Sequence, residues 1–160
     1  MNRRDLIKIG AGVAATPVQA QPPAAFSPKF FDAHQNETLI ALTELIISAT
    51  DTPGAKGVRV NEWIDKVFAD GRVEERSKFQ AGLGQLDAIA LNKHAVPFIK
   101  CAKPQQIAIL TDLDKLNDRF FRQAKAMTSR IYYATSVGYQ ELNKRGRVPA
   151  TFACNHPEHA

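Results

Sequence analysis

The residue types in this 160-residue chain that could hold a metal lie near its C-terminal end, where Cys154, His156 and His159 follow one another at short spacing. A thiolate and two imidazoles are legitimate zinc ligands, but a closed site takes four donors and no fourth is evident nearby. Cys154 also has a competing use. The chain's other cysteine is Cys101, and outside the cytoplasm two cysteines tend to pair. A Cys101–Cys154 bridge would close a loop of about 54 residues and stabilise the fold by roughly 4 kcal/mol through chain entropy. Two buried free thiols, or a bridge to another chain, are the alternatives.

Other chemistry-bearing patterns resolve to blander readings. Asp112, Asp114 and Asp118 form a carboxylate run, yet their interleaving with leucines suits the wet face of an amphipathic helix, and they are read as solvated. Pro53, Gly54 and Gly57 precede a helical pattern as phosphate-binding loops do. Their spacing fits neither nucleotide fingerprint and no strand pattern comes before them, so they are assigned to a turn between helices. The chain has no Cys-x-x-Cys-His, Gly-x-Gly-x-x-Gly or His-Glu-x-x-His run, so no catalytic, cofactor-binding or metal-binding residue is assigned. Phe120, Phe121, Tyr132 and Tyr133 cannot all occupy the inner stripe of one helix. They form the candidate partner interface, with a second core layer as the alternative.

The elements that would position these residues are helical. Asn36 can cap a first helix running to about Ala49, with Glu37 in its first turn and Leu39, Leu42, Leu45 and Ile46 on one face. Val60, Trp63, Ile64 and Val67 mark a short second helix capped by Asn61. Glu74 to Ala95 reads as a third, with Phe79, Leu83, Leu86 and Ala90 in a stripe. Gly82 and Gly84 weaken it by about 1 kcal/mol each, which suggests close approach of a neighbouring backbone. Pro97 ends that run. Pro104 suits the first turn of a fourth helix carrying Ile107, Leu110, Leu113 and Leu116. A fifth begins near Asn117 and repeats Phe120, Ala124, Met127, Ile131 and Ala134, which predicts the most buried element. No stretch alternates as a strand would. The expected fold is all-α: a compact bundle of about five helices with an irregular tail from Gly146 to Ala160.

Residues 1–20 read as a targeting segment. Arg3 and Arg4 precede Leu6-Ile7-Lys8, a weakly apolar stretch follows, and Val18-Gln19-Ala20 offers small residues for cleavage after Ala20. The paired arginines resemble the twin-arginine export motif, with Asn2 and Leu6 where Ser or Thr and Phe are usual. The apolar stretch falls short of the ~20 residues that span a bilayer. Residues 21–34, with three prolines, form an extended leader, and 35–160 a single helical domain. The formal charge of +5 falls to +3 without the signal, too mild and dispersed to imply nucleic acid. The expected location is the periplasm, with the twin-arginine translocase as one partner.

Three stretches carry a resemblance. They are Thr38-Leu39-Ile40-Ala41-Leu42 through Ile46-Ile47-Ser48-Ala49-Thr50-Asp51-Thr52-Pro53-Gly54-Ala55, then Phe79-Gln80-Ala81-Gly82-Leu83 with Leu86-Asp87, then Phe120-Phe121 through Tyr132-Tyr133-Ala134-Thr135-Ser136-Val137-Gly138-Tyr139. In order and spacing they resemble the gluconate 2-dehydrogenase subunit 3 family across nearly all of the mature chain. The resemblance implies a small subunit without a cofactor of its own, beside a large flavin-dependent subunit that carries FAD and oxidises a sugar or polyol. A cytochrome subunit carrying haem c takes the electrons. The small subunit then assists maturation and export, and no catalytic residue carries over. Ala153-Cys154 stands where the family often has Gly-Cys. Two other classes compete: a free-standing periplasmic binding or structural module, and a small metal-dependent enzyme using His156 and His159.

Overall fold

The computed structural model describes residues 26–143, which form six helices and, among the described residues, no strand. In chain order these are α1 (Ala33–Ile46), α2 (Val60–Ala69), α3 (Val73–His94), α4 (Lys103–Lys115), α5 (Arg119–Tyr133) and α6 (Ser136–Asn143), with a 3₁₀ turn, Phe98–Lys100, between α3 and α4. The sequence reading of about five helices omits α6, which is too short to show a periodic stripe. The expected irregular tail from Gly146 lies outside the described residues.

The first helix begins earlier than the apolar stripe suggests. Asp32, not Asn36, is its cap. The Asp32 carboxylate accepts from Gln35 N at 2.8 Å while Gln35 Oε1 accepts from Asp32 N at 3.3 Å, a reciprocal capping box. Asn36 instead accepts a hydrogen bond from Asn61 Nδ2 at 3.0 Å. Asn61, expected to cap α2, is buried within that helix, whose first turn is preceded by Arg59 in the left-handed region at φ 59°. Each asparagine looked like a cap because it precedes an apolar run. Their mutual bond joins α1 to α2 and gives the buried Asn61 amide a partner.

The last helix but one organises the core. α5 packs against each of α1, α2, α3, α4 and α6, and its Phe120, Phe121, Ala124, Thr128 and Tyr132 are buried. A helix enclosed on so many sides buries a wide arc rather than one stripe, which is why adjacent Phe120 and Phe121 both face inward. A chain of aromatic rings runs from the N-terminal strap to this helix. Phe31 meets Phe68 at 5.9 Å between centroids, Phe68 meets Phe79 at 4.5 Å, and Phe79 meets Phe120 at 5.1 Å. Such offset and edge contacts suit the ring quadrupoles. On α4 the buried face is rotated from the expected one. Ile107 and Leu116 are exposed, while Gln106 turns in to donate to Phe98 O at 2.8 Å.

Residues 26–32, assigned on sequence to the leader, are non-helical and packed at their end, where Phe31 is buried. They are held by Asp65 of α2, whose fully buried carboxylate accepts from the backbone N–H groups of Lys29 (2.8 Å), Phe30 (3.0 Å) and Phe31 (3.0 Å). Three donors on one carboxylate leave little unmet demand from the charge.

Gly82 answers to a ring rather than a backbone. A methyl group there would lie inside the van der Waals envelope of the Phe120 ring, whereas one at Gly84 would meet nothing within 4 Å. Gly82→Ala is therefore expected to destabilise by about 1–3 kcal/mol through overpacking, against a helix-propensity gain of about 1 kcal/mol. Gly84→Ala gains propensity without the clash. Urea unfolding of the two variants checks this, and equal midpoints would refute the contact.

Candidate partner-binding surface

The loop joining α1 to α2 carries the longest run of the residues singled out on sequence, and the fold pins it from three helices. From α1, the Glu44 carboxylate accepts from Ala49 N at 3.0 Å and Lys56 N at 2.9 Å. From α5, Tyr132 Oη donates to Pro53 O at 2.9 Å. From α6, Glu141 accepts from Thr52 Oγ1 at 3.0 Å. Within the loop, Ala55 N donates to Ile47 O at 2.9 Å, and Ala55 is fully buried. Gly54 is required by this arrangement, since a side chain there would stand 2.7 Å from both Glu44 carboxylate oxygens. Thr50 and Asp51 remain exposed on a loop with little freedom to move. Pro53 and the two glycines thus serve a turn.

Beside this loop, α6 folds back tightly on the end of α5. Gly138 permits it, because a side chain there would collide with the backbone of Tyr132 and Tyr133. Thr135 Oγ1 caps the new helix by accepting from Gly138 N at 3.1 Å. The result is an outward face carrying Tyr139, 63% exposed, and Leu142, 60% exposed, three residues apart and so neighbours on α6. Tyr133 at the end of α5 is 38% exposed. Large apolar side chains in the open, on a corner held rigid by the loop contacts, are what a protein interface uses.

Of the four aromatics read as candidate interface, only Tyr133 is open to solvent; Phe120, Phe121 and Tyr132 are buried. For those three the outward orientation is corrected to the second core layer, and the cause is the wide buried arc of α5. Sequence inspection missed Tyr139 and Leu142, whose only signal is an i, i+3 apolar pair in a segment of one or two turns. It also missed Glu44 and Asp65, which look like ordinary charges on helices.

The carboxylate run separates into individual tasks. Asp112 is exposed and paired with Lys93 Nζ at 2.7 Å, which holds its carboxyl below the usual carboxylate range through that hydrogen bond and the lysine's charge. Asp114 pairs with Lys125. Asp118 caps α5, accepting from Phe121 N at 2.9 Å. Among the described residues no group of three or more His, Cys, Asp or Glu is placed to hold a metal ion, and no helix is long and apolar enough to cross a membrane. Arg3, Arg4, Cys154, His156 and His159 lie outside the described residues.

Cys101 is a buried thiol whose Sγ lies 3.9 Å from Val96 O; its expected disulfide partner Cys154 lies outside the described residues. Burial, and secondarily the negative charge of Asp87, push the Cys101 thiol above its ordinary value of 9.0. Asp87 itself accepts from Phe98 N at 2.9 Å and sits 2.6 Å from His34 Nε2. A raised folded pKa means the stabilising contribution is present below the unfolded value and lost as pH climbs beyond it. As the free thiol, Cys101 is expected to make stability fall more steeply above about pH 9 than in Cys101→Ala. Denaturant midpoints across pH 7–10.5 measure the difference, and parallel curves would refute it.

The fold and surface describe a small helical body in which several polar side chains hold its own loops and caps, with Tyr133, Tyr139 and Leu142 among the apolar groups left facing out. The chain belongs to the gluconate 2-dehydrogenase subunit 3 family, whose model matches residues 33–146 and so takes in all six helices. No protein of curated function and no solved structure matches the chain.

Proposed function

We propose that this chain is the non-catalytic small subunit of an exported flavin-dependent sugar or polyol dehydrogenase, and that it serves the maturation, stability and twin-arginine export of the catalytic subunit. The observation that carries this reading is the family match over residues 33–146, since the family is described as one subunit of a gluconate dehydrogenase. On this reading FAD resides in the large subunit and haem c in a cytochrome partner. The complex works in the periplasm, and Cys101 pairs with Cys154 once exported. The twin-arginine route moves folded proteins; a cofactor-free chain with such a signal makes sense as the carrier of a larger partner that is loaded before crossing.

The deciding experiment replaces Arg3 and Arg4 with lysine and follows the large subunit. Loss of its flavin-dependent activity from the periplasm supports the carrier role, and undiminished export of the large subunit overturns it. The surface makes a separate prediction. Tyr139→Ala with Leu142→Ala is expected to weaken association with the large subunit about tenfold, the effect of losing about 1.4 kcal/mol, since tyrosine is one of the residue types enriched among the few that dominate an interface. The melting temperature should hardly change, since both side chains are open to solvent. Co-purification reads the first effect and a thermal melt the second; unchanged recovery of the partner would remove the α6 corner from the interface.

A further inference from the structure

We propose that the groove between α3 and α5 is a docking site for an acidic polypeptide segment of a partner protein, held by the cationic outer edge of α5. This rests on the reading above only in requiring a protein partner. The helix α5 carries four basic residues, Arg119, Arg122, Lys125 and Arg130, and no acidic one. Lys125 is paired with Asp114. Arg119, Arg122 and Arg130 have no ion-pair partner among the described residues, and Arg122 makes only a 3.2 Å hydrogen bond to Asn117 Oδ1.

The position of Arg119 sharpens the point. It begins α5, where the helix dipole favours negative charge and no acidic residue fills the first turn. A helix tuned only for its own stability would not place two arginines in its first four residues. Local choices that cost stability without an internal return are those expected where a surface meets something else.

The shape supports a polypeptide rather than a flat or highly charged partner. Arg119 and Arg122 line a groove of about 750 Å³ with Arg72 and Lys78 of the facing element. Gly82 and Phe120 also line it, with the Phe120 ring filling the place a Gly82 side chain would take. Its four cations face three carboxylates, a balance of +1, but the charges are not evenly spread: Glu74 and Glu75 stand in the first turn of α3 and Asp118 caps α5, while Arg119 and Arg122 are on α5. Those two glutamates would repel a phosphate backbone or an anionic bilayer pressed across the groove. A segment with spaced carboxylates can meet the arginines and leave the glutamates to its own amides or hydroxyls.

The test uses the full chain co-expressed with its large subunit, with a photo-reactive benzoylphenylalanine at Gln123, which lines the groove, and separately at Tyr139 on the α6 corner. The expected result is a Gln123 adduct to a protein segment containing Asp or Glu, lost at least tenfold in Arg119→Glu with Arg122→Glu. The melting temperature of that double variant should match the parent. Tyr139 adducts to the flavin subunit with none at Gln123 would overturn the groove and leave the subunit reading standing. Gln123 adducts to a different acidic protein would support the groove and count against that subunit reading. Gln123 adducts to RNA, recovery of the parent but not the double variant on phosphatidylglycerol vesicles, or no adduct at either position would overturn the groove.

Discussion

Asp65→Ala is expected to destabilise the domain by about 3 kcal/mol. The estimate takes hydrogen bonds to a charged acceptor at roughly 1.5–3 kcal/mol each and is held below their sum because the strap can peel away and hydrate its own N–H groups. Release of residues 26–32 would also withdraw Phe30 and Phe31 from Phe68. The effect should be local in origin. Amide exchange at Lys29, Phe30 and Phe31 should accelerate first, before the helices lose protection. Asp65→Asn is the finer probe, since it keeps one acceptor oxygen but turns an NH2 group toward the strap donors. If Asp65→Ala unfolds at the parental denaturant midpoint, the buried carboxylate is not holding the strap.

Phe79→Ala is expected to cost more, about 3–5 kcal/mol, the usual range for emptying a buried aromatic site. Phe79 is fully buried and lies within 6.0 Å of three other rings, those of Phe31, Phe68 and Phe120. No neighbour can collapse into the space without breaking its own ring contacts. For a domain near this size the loss corresponds to a Tm lower by roughly 12–25 °C, a large share of a total stability of about 5–15 kcal/mol. Phe79→Leu should lose less than half as much by retaining most of the volume. A Phe79→Ala variant within about 1 kcal/mol of the parent would contradict the ring chain as the centre of the core.

Much of this was legible in the residues. The stripes Leu39 with Leu42, Phe79 with Leu83, Leu86 and Ala90, and Phe120 with Ala124 are all buried, because a helix that must bury one face writes it at three- and four-residue spacing. Pro104 does sit in the first turn of α4. What escaped the pattern follows from tertiary contacts. The width of the buried face of α5 depends on how many helices surround it, so Phe121 and Tyr132 could not be told from interface residues in advance. The exposure of Trp63 and Val67 depends on how α2 is rotated. Capping by Asp32 rather than Asn36 depends on a strap whose docking is set by Asp65, a residue thirty-three positions later. The corner at Tyr139 and Leu142 was hidden for a different reason, since eight residues are too few for periodicity to speak.

The helix that every other helix needs is the second to last, and that order bears on synthesis. A nascent chain that has reached residue 118 holds α1 to α4 but lacks the one helix that packs against all of them. At ribosomal speeds of about 5–20 residues per second, roughly 5 to 19 s separate Leu39, and roughly 3 to 11 s Phe79, from the end of α5. The contacts of α1 with α2 and α3 can form first, but the core is sealed only when α5 arrives, so its apolar side chains stay partly open until late in synthesis.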